Sequence, residues 1–120
     1  MITIDDGDPR PPFEQIRGQL ADQIRAGTLA AGQRLPAVRQ LAVDLRVAAG
    51  TVARAYAALE TAGLLTTSRG SGTRVRPDQE LGADSRSSAR RFVQAQRRDG
   101  ANLDEALSAV RVEWTRDTPA

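Results

Sequence analysis

The sequence predicts a mainly α-helical fold with a small β-wing, from three observations. Between Pro36 and Gly63, two short stretches repeat apolar residues at helical spacing with a tight break between them. Directly after Gly63, two β-prone runs flank the turn Arg69-Gly70-Ser71-Gly72, whose glycines accept positive φ. Beyond a polar segment with Pro and Gly, two more helical patterns follow. That order is the layout of a winged helix-turn-helix followed by a short C-terminal helical hairpin.

Each element has a local reason. Met1 to Ile4 reads as a short extended arm, and Asp5 to Pro9 as an acidic turn. A first helix runs from about Phe13 to Ala26, with Phe13, Ile16, Leu20 and Ile24 as its apolar stripe and Gly27 as its stop. Leu29 to Leu35 is a connector with a turn at Ala31-Gly32. Pro36 opens a second helix, since it lacks the amide proton that would go unpaired there. Val38, Leu41, Ala42 and Leu45 form the apolar face of that helix. Arg46-Val47 breaks the pattern, with Val47 plugging the angle between helices. A third helix spans residues 50–62. It turns Val52, Ala55, Leu59 and Ala62 inward with Tyr56 alongside, and Gly63 ends it. Two strands are expected within residues 64–76, Leu64 to Ser68 and Thr73 to Arg76.

The domain organisation follows. Residues 1–76 form the winged domain, 77–84 a linker and 85–120 a helical region. In that region Ser85 to Asp99 carries Ala89, Phe92, Val93 and Ala95, and Gly100 stops it. Asn102 with Glu105 three residues on is a capping-box pattern. Leu103, Leu107, Val110 and Trp114 are spaced by four, three and four residues, so they share one helical face.

Composition narrows the function classes. There is no Cys, His or Lys, so every basic side chain is Arg. Disulfides and thiolate metal sites are excluded, and the usual general base and commonest metal ligand are missing. No phosphate-binding Gly loop precedes a Lys, and Asp5, Asp6 and Asp8 read as a solvated turn. Neither enzyme activity, a cofactor nor a metal is expected. No run of 18 apolar residues and no signal-peptide pattern occur, which predicts a cytoplasmic protein. The formal net charge is +2, but residues 34–76 carry seven Arg against Asp44 and Glu60. Residues 1–33 and 77–120 are slightly acidic. The basic balance sits on the helix-turn-helix and wing, which points to nucleic acid.

A resemblance sharpens this expectation. It runs through Pro12-Phe13-Glu14-Gln15-Ile16, Ile24-Arg25-Ala26-Gly27-Thr28-Leu29 and Gly32-Gln33-Arg34-Leu35-Pro36-Ala37-Val38-Arg39-Gln40-Leu41-Ala42. It continues through Thr51-Val52-Ala53-Arg54-Ala55-Tyr56, Leu59-Glu60, Ala62-Gly63-Leu64 and Arg69-Gly70-Ser71-Gly72-Thr73. The chain resembles the GntR family of bacterial transcription regulators, and within it the YtrA-like branch. Thr51 to Tyr56 is also similar to the branch fused to an aminotransferase-like domain, but the roughly 45 residues beyond the wing are too few for such a domain. The resemblance implies a sequence-specific regulator of double-stranded DNA, most simply an autoregulatory repressor. It also implies a helical C-terminal region used in dimerisation.

The DNA-binding candidates are Arg39, Gly50, Thr51, Arg54, Arg69, Gly70, Ser71, Gly72 and Thr73. Arg39 is implied as a phosphate contact. Gly50 and Thr51 begin the third helix, where amides and the helix dipole favour a phosphate oxygen, while capping is the other role open to Thr51. Arg54 is the candidate base reader, since Arg can bond guanine O6 and N7 together; phosphate binding or an ion pair with Glu60 or Asp44 are its other roles. Residues 69–73 are the wing tip, with Arg34, Arg74 and Arg76 as backbone neighbours.

The chain departs from the family pattern at Ala48-Ala49-Gly50, where relatives carry polar or basic residues, and at Arg46, where they often carry Gly. Fewer direct base contacts follow, so Arg54, the wing and DNA shape are left to supply specificity. Two helices of about 15 residues cannot bury enough surface alone. Phe92, Leu103, Leu107, Val110 and Trp114 are therefore assigned to a homodimer interface over a two-fold operator, with packing on the chain's own first helix as the alternative. A small-molecule effector, if one exists, is expected at that interface. The competing functions are a nonspecific architectural DNA binder and a protein-interaction winged helix.

Overall fold

The computed structural model describes residues 2–116. Five helices and one hairpin follow in order: α1 (Pro12–Arg25), α2 (Val38–Leu45), α3 (Ala49–Thr61), β1 (Leu65–Ser68), β2 (Gly72–Val75), α4 (Ala83–Arg98) and α5 (Leu103–Arg116). The chain divides into two compact units, residues 1–81 and 82–120. The end of the 85–120 region, residues 117–120, lies outside the described residues.

In the first unit α1 and α2 both pack on α3. Ile16, Leu20, Ala21 and Ile24 from α1 meet Leu41 and Ala42 from α2 and Val52, Ala55, Tyr56 and Leu59 from α3. Leu35, Leu64, Leu65 and Val75 close the core from the wing side. Each fully buried Ile, Leu or Val contributes about 1.5–3 kcal/mol relative to exposure, so this cluster holds α3 in place. Phe13 is half-buried, and Ala62 is exposed as the C-cap of α3 rather than inward.

The wing is antiparallel, with Leu65 opposite Val75 and Ser68 opposite Gly72. It is broader than two strands. Gly32 N–H donates to the Val75 carbonyl (2.8 Å), Val75 N–H to Gln33 (3.0 Å) and Leu35 N–H to Thr73 (2.8 Å). The connector before α2 thus runs along β2 with an isolated bridge between Arg34 and Arg74.

The N-terminal arm is fastened by two amides one helical turn apart on α1. Gln15 Oε1 accepts the Asp5 N–H (2.8 Å), and its Nε2 donates to the Asp5 and Arg10 carbonyls (3.1 and 2.8 Å). Gln19 likewise accepts the Thr3 N–H (3.0 Å) and donates to the Thr3 carbonyl (2.7 Å). These side chains stand in for a neighbouring strand, which is how the buried Gln15 is satisfied.

Several boundaries differ from the sequence-based expectation, among them α3 at Ala49–Thr61 rather than 50–62 and α4 starting at Ala83, inside the expected linker. α2 begins at Val38 rather than Pro36, because the extended Ala37 is its N-cap. The Pro36 carbonyl instead accepts the Tyr56 hydroxyl at 2.7 Å. Residues 77–81 also lie with the first unit, where Leu81 N–H donates to the Arg25 carbonyl at 2.7 Å.

The second unit is two helices joined at Asp99–Asn102. The capping box forms: Glu105 N–H donates to Asn102 Oδ1 (2.9 Å) and Asn102 N–H to Glu105 Oε1 (3.0 Å). α4 and α5 touch little beyond the turn, and neither helix buries a residue.

Candidate nucleic-acid interface

α3 starts without a side-chain cap. Ala48 is the N-cap, with extended backbone (ψ 146), and no side chain bonds the first-turn amides. Thr51 is the third helical residue, and its N–H donates to the Ala48 carbonyl at 3.0 Å. Thr51 is therefore not the cap, which removes one of its two candidate roles. Replacing a Ser or Asn cap by Ala costs about 1 kcal/mol, and it leaves bare amides at the helix end best suited to an anion.

The outer face of α3 is nearly smooth. Gly50, Ala53, Arg54 and Ala57 are exposed, opposite the buried Val52, Ala55 and Leu59. Arg54 is the one long side chain in that stripe. Its guanidinium carbon lies 3.6 Å from the centroid of the Phe13 ring on α1. Asp44, a candidate partner for Arg54, accepts a hydrogen bond from Gln40 Nε2 at 2.9 Å.

Tyr56 ties α3 to the segment before α2. The ring is buried and its hydroxyl reaches the Pro36 carbonyl, joining α3 to the residues that lead into α2. Burial pushes the phenol up from its ordinary value to about 12, because the charged phenolate would lose solvation. α2 carries Arg39 exposed in its first turn. At the turn between α2 and α3, Arg46 is left-handed (φ 58, ψ 46). A non-glycine residue pays about 1–2 kcal/mol for that conformation.

The wing tip places Arg69, Gly70, Ser71, Gly72 and Thr73 together. The Ser68 and Ser71 hydroxyls are hydrogen-bonded, and Thr67 Oγ1 meets Thr73 Oγ1 at 3.2 Å. Gly72 has φ +70, and a Cβ there would meet Arg34 Nε at 3.0 Å. Arg34 thus lies against the glycine backbone at the tip, and Arg74 Nη1 donates to the Gly32 carbonyl at 3.0 Å. The first unit therefore holds Arg39, Gly50, Thr51, Arg54 and residues 69–73. Arg34, expected as a backbone neighbour, is exposed beside them, and the geometry adds Arg46 to the exposed basic side chains. Nothing in the sequence signals that Arg34 pairs beside β2. Arg46 was readable only as a missing glycine.

Other candidate features are modest. In the acidic turn, Asp8 pairs with Arg10 Nη2 at 2.7 Å and Asp5 Oδ1 accepts the Gly7 N–H at 2.9 Å. The Arg10 hydrogen bond holds the Asp8 carboxyl below the usual range. An open cleft of about 260 Å³ lies among Ile24, Leu29, Val75 and Glu80. In the second unit Phe92 is half-buried, whereas Leu103, Leu107 and Val110 are exposed and Trp114 is 80% exposed. No helix among the described residues is long and apolar enough to cross a membrane.

Residues 12–75 match the bacterial regulatory proteins of the gntR family. The HTH-type transcriptional regulator Rv1152 of Mycobacterium tuberculosis is 41% identical over 98 residues, which cover 82% of this chain and 81% of that protein. The HTH-type transcriptional repressor YtrA of Bacillus subtilis is 40% identical over 73 residues, covering 61% of this chain and 56% of YtrA. Among solved structures, YtrA from Sulfolobus acidocaldarius, a GntR-family transcription factor, aligns with a TM-score of 0.59 and 29% identity. That alignment covers 78% of this chain and 94% of the other.

Proposed function

The chain belongs to the gntR family of bacterial regulatory proteins, whose matched members are transcription regulators rather than enzymes, and from that premise we propose that it represses transcription as a homodimer on a two-fold operator. The observation that carries this reading is the outer face of α3. Small exposed residues on that face suit a helix that enters the major groove, and Arg54, its one long side chain, is the reader assigned to a guanine edge. Ala53 and Ala57 suit thymine methyl groups. The uncapped amides at Ala49 and Gly50, with Arg39, take phosphates on the near strand. Arg69 and the glycines around it take the backbone beside the minor groove.

The second copy supplies the other half-site, since helix-turn-helix dimers read half-sites about one DNA turn apart. The support for a dimer is the second unit, whose helices α4 and α5 bury no residue yet expose Leu103, Leu107, Val110 and Trp114. Phe92 on α4 joins that apolar set. Any effector acts at this interface by changing the spacing of the two α3 helices. The protein works in the cytoplasm, where the chromosome is, and its own promoter is the simplest target.

A mobility shift with the DNA upstream of its own coding sequence tests the reading, with Arg54→Ala beside it and competitor DNA present. Tight binding that resists competitor and is lost in the variant is expected. Binding that vanishes into competitor at every concentration would mean a nonspecific architectural role instead.

A further inference from the structure

Counted as one block, residues 77–120 are slightly acidic, but the structure distributes that charge unevenly. α4 carries Arg86, Arg90, Arg91, Arg97 and Arg98 against one carboxylate, Asp84. At 100° per residue the five arginines fall within an arc of about 140° along roughly 18 Å of helix. Phe92 and Ala89 lie on the opposite side. Arg90, Arg91, Arg97 and Arg98 are exposed. The hydrogen bonds of Arg91 go to hydroxyls, Ser87 Oγ at 2.8 Å and Ser88 Oγ at 3.2 Å, rather than to a carboxylate.

A second copy does not neutralise this arc through α5. Of the acids on α5, Glu105 closes the capping box and Glu113 pairs with Arg116 at 3.1 Å, which leaves Asp104. A dimer that buries Phe92 also keeps the arc on its outer side. The four exposed guanidiniums of Arg90, Arg91, Arg97 and Arg98 share one helix face, and their planar forks match a row of phosphates.

We infer that the arginine face of α4 is a second DNA-backbone contact, which grips phosphates additional to those bound by α3 and the wing. It rests on the DNA-binding reading above and extends it. The length of the arc corresponds to about five base pairs of duplex at 3.4 Å each. The contact carries no sequence information and adds affinity and salt dependence.

The test is fluorescence anisotropy of the full chain and of Arg90→Gln/Arg97→Gln, across a salt series. Two duplexes are cut from the DNA upstream of the coding sequence, one of roughly 20 bp and one of roughly 40 bp. Gln is a good helix former, so α4 survives the change, and circular dichroism verifies it. The expected result is a steeper salt slope on the longer duplex for the parent. In the variant that slope falls by about 0.9 per arginine removed, while the shorter duplex is unaffected. An unchanged slope on the longer duplex overturns the inference. So does a variant whose sedimentation shows a weakened dimer with the slope intact, because the arc is then a protein interface. Failure of the operator reading is separate: the parent then shows no preference for upstream DNA over competitor, yet the slope difference between parent and variant persists on the longer duplex.

Discussion

The guanidinium of Arg54 on α3 stacks on the ring of Phe13 on α1, with its central carbon 3.6 Å from the ring centroid. One contact thereby joins the outer face of α3 to the first turn of α1. The ring limits where the guanidinium can swing and so pre-orients it. Phe13→Leu keeps apolar bulk but removes the π face, and a loss of about 0.5–1 kcal/mol in urea unfolding is expected. DNA affinity falls as well, by less than in Arg54→Ala, where a lost bidentate base contact is worth about 1–3 kcal/mol. A double-mutant cycle checks the link: once Arg54 is Ala, Phe13→Leu should leave DNA binding unchanged.

Tyr56 and Pro36 are the second long-range tie. Tyr56→Phe leaves the Pro36 carbonyl without its 2.7 Å donor, and a loss of about 1–2 kcal/mol is expected. The pH dependence has a definite sign. The phenol titrates near 12 when folded and at its ordinary value of 10.0 when unfolded. Below that ordinary value both states hold the proton and stability is flat. As pH rises toward 12, the unfolded chain releases its proton first, so stability declines through that window. Denaturant titrations across this range should show the decline in the parent and not in Tyr56→Phe.

Arg46 holds a left-handed backbone conformation in the turn between α2 and α3. Glycine adopts that conformation without a Cβ penalty. Arg46→Gly should therefore raise stability by about 1 kcal/mol, after the extra chain entropy of glycine is discounted. Thermal unfolding decides it, and a lower melting temperature would show that the Arg46 side chain contributes more than its backbone costs.

At the wing, Gly72→Ala meets two obstacles, a φ of +70 and the Arg34 guanidinium at 3.0–3.1 Å from the new Cβ. A loss of about 1–2 kcal/mol is expected, confined to the hairpin. Hydrogen exchange should show faster exchange at the Leu35 and Val75 amides, which donate to Thr73 and Gln33, with the α1 and α3 amides unchanged.

For the C-terminal unit, Leu107→Asp places a charge in the apolar face shared by Leu103, Val110 and Trp114. Sedimentation should show a monomer in the variant and a dimer in the parent, with operator affinity reduced because two half-sites no longer bind together. A dimer that survives the change would move the interface away from α5.

Local pattern alone determined much of this protein. The stripes Ile16-Leu20-Ile24 and Val52-Ala55-Leu59 announce buried helix faces, because an apolar residue every three or four positions can only be buried on one side of a helix. The glycines at the wing tip announce a hairpin, and Asn102 with Glu105 announces a helix start, since both depend on residues a few positions apart. Tertiary structure decided the rest. Residues 32–35 pair with β2 although their sequence reads as a connector. Gln15 and Gln19 grip the N-terminal arm, and Tyr56 claims the carbonyl of Pro36 and leaves Ala37 to cap α2. Arg54 meets Phe13 across two helices. Periodicity records which face of an element is buried. It does not record which distant group will pair with that element's polar atoms, because that depends on how packed helices bring chain segments together.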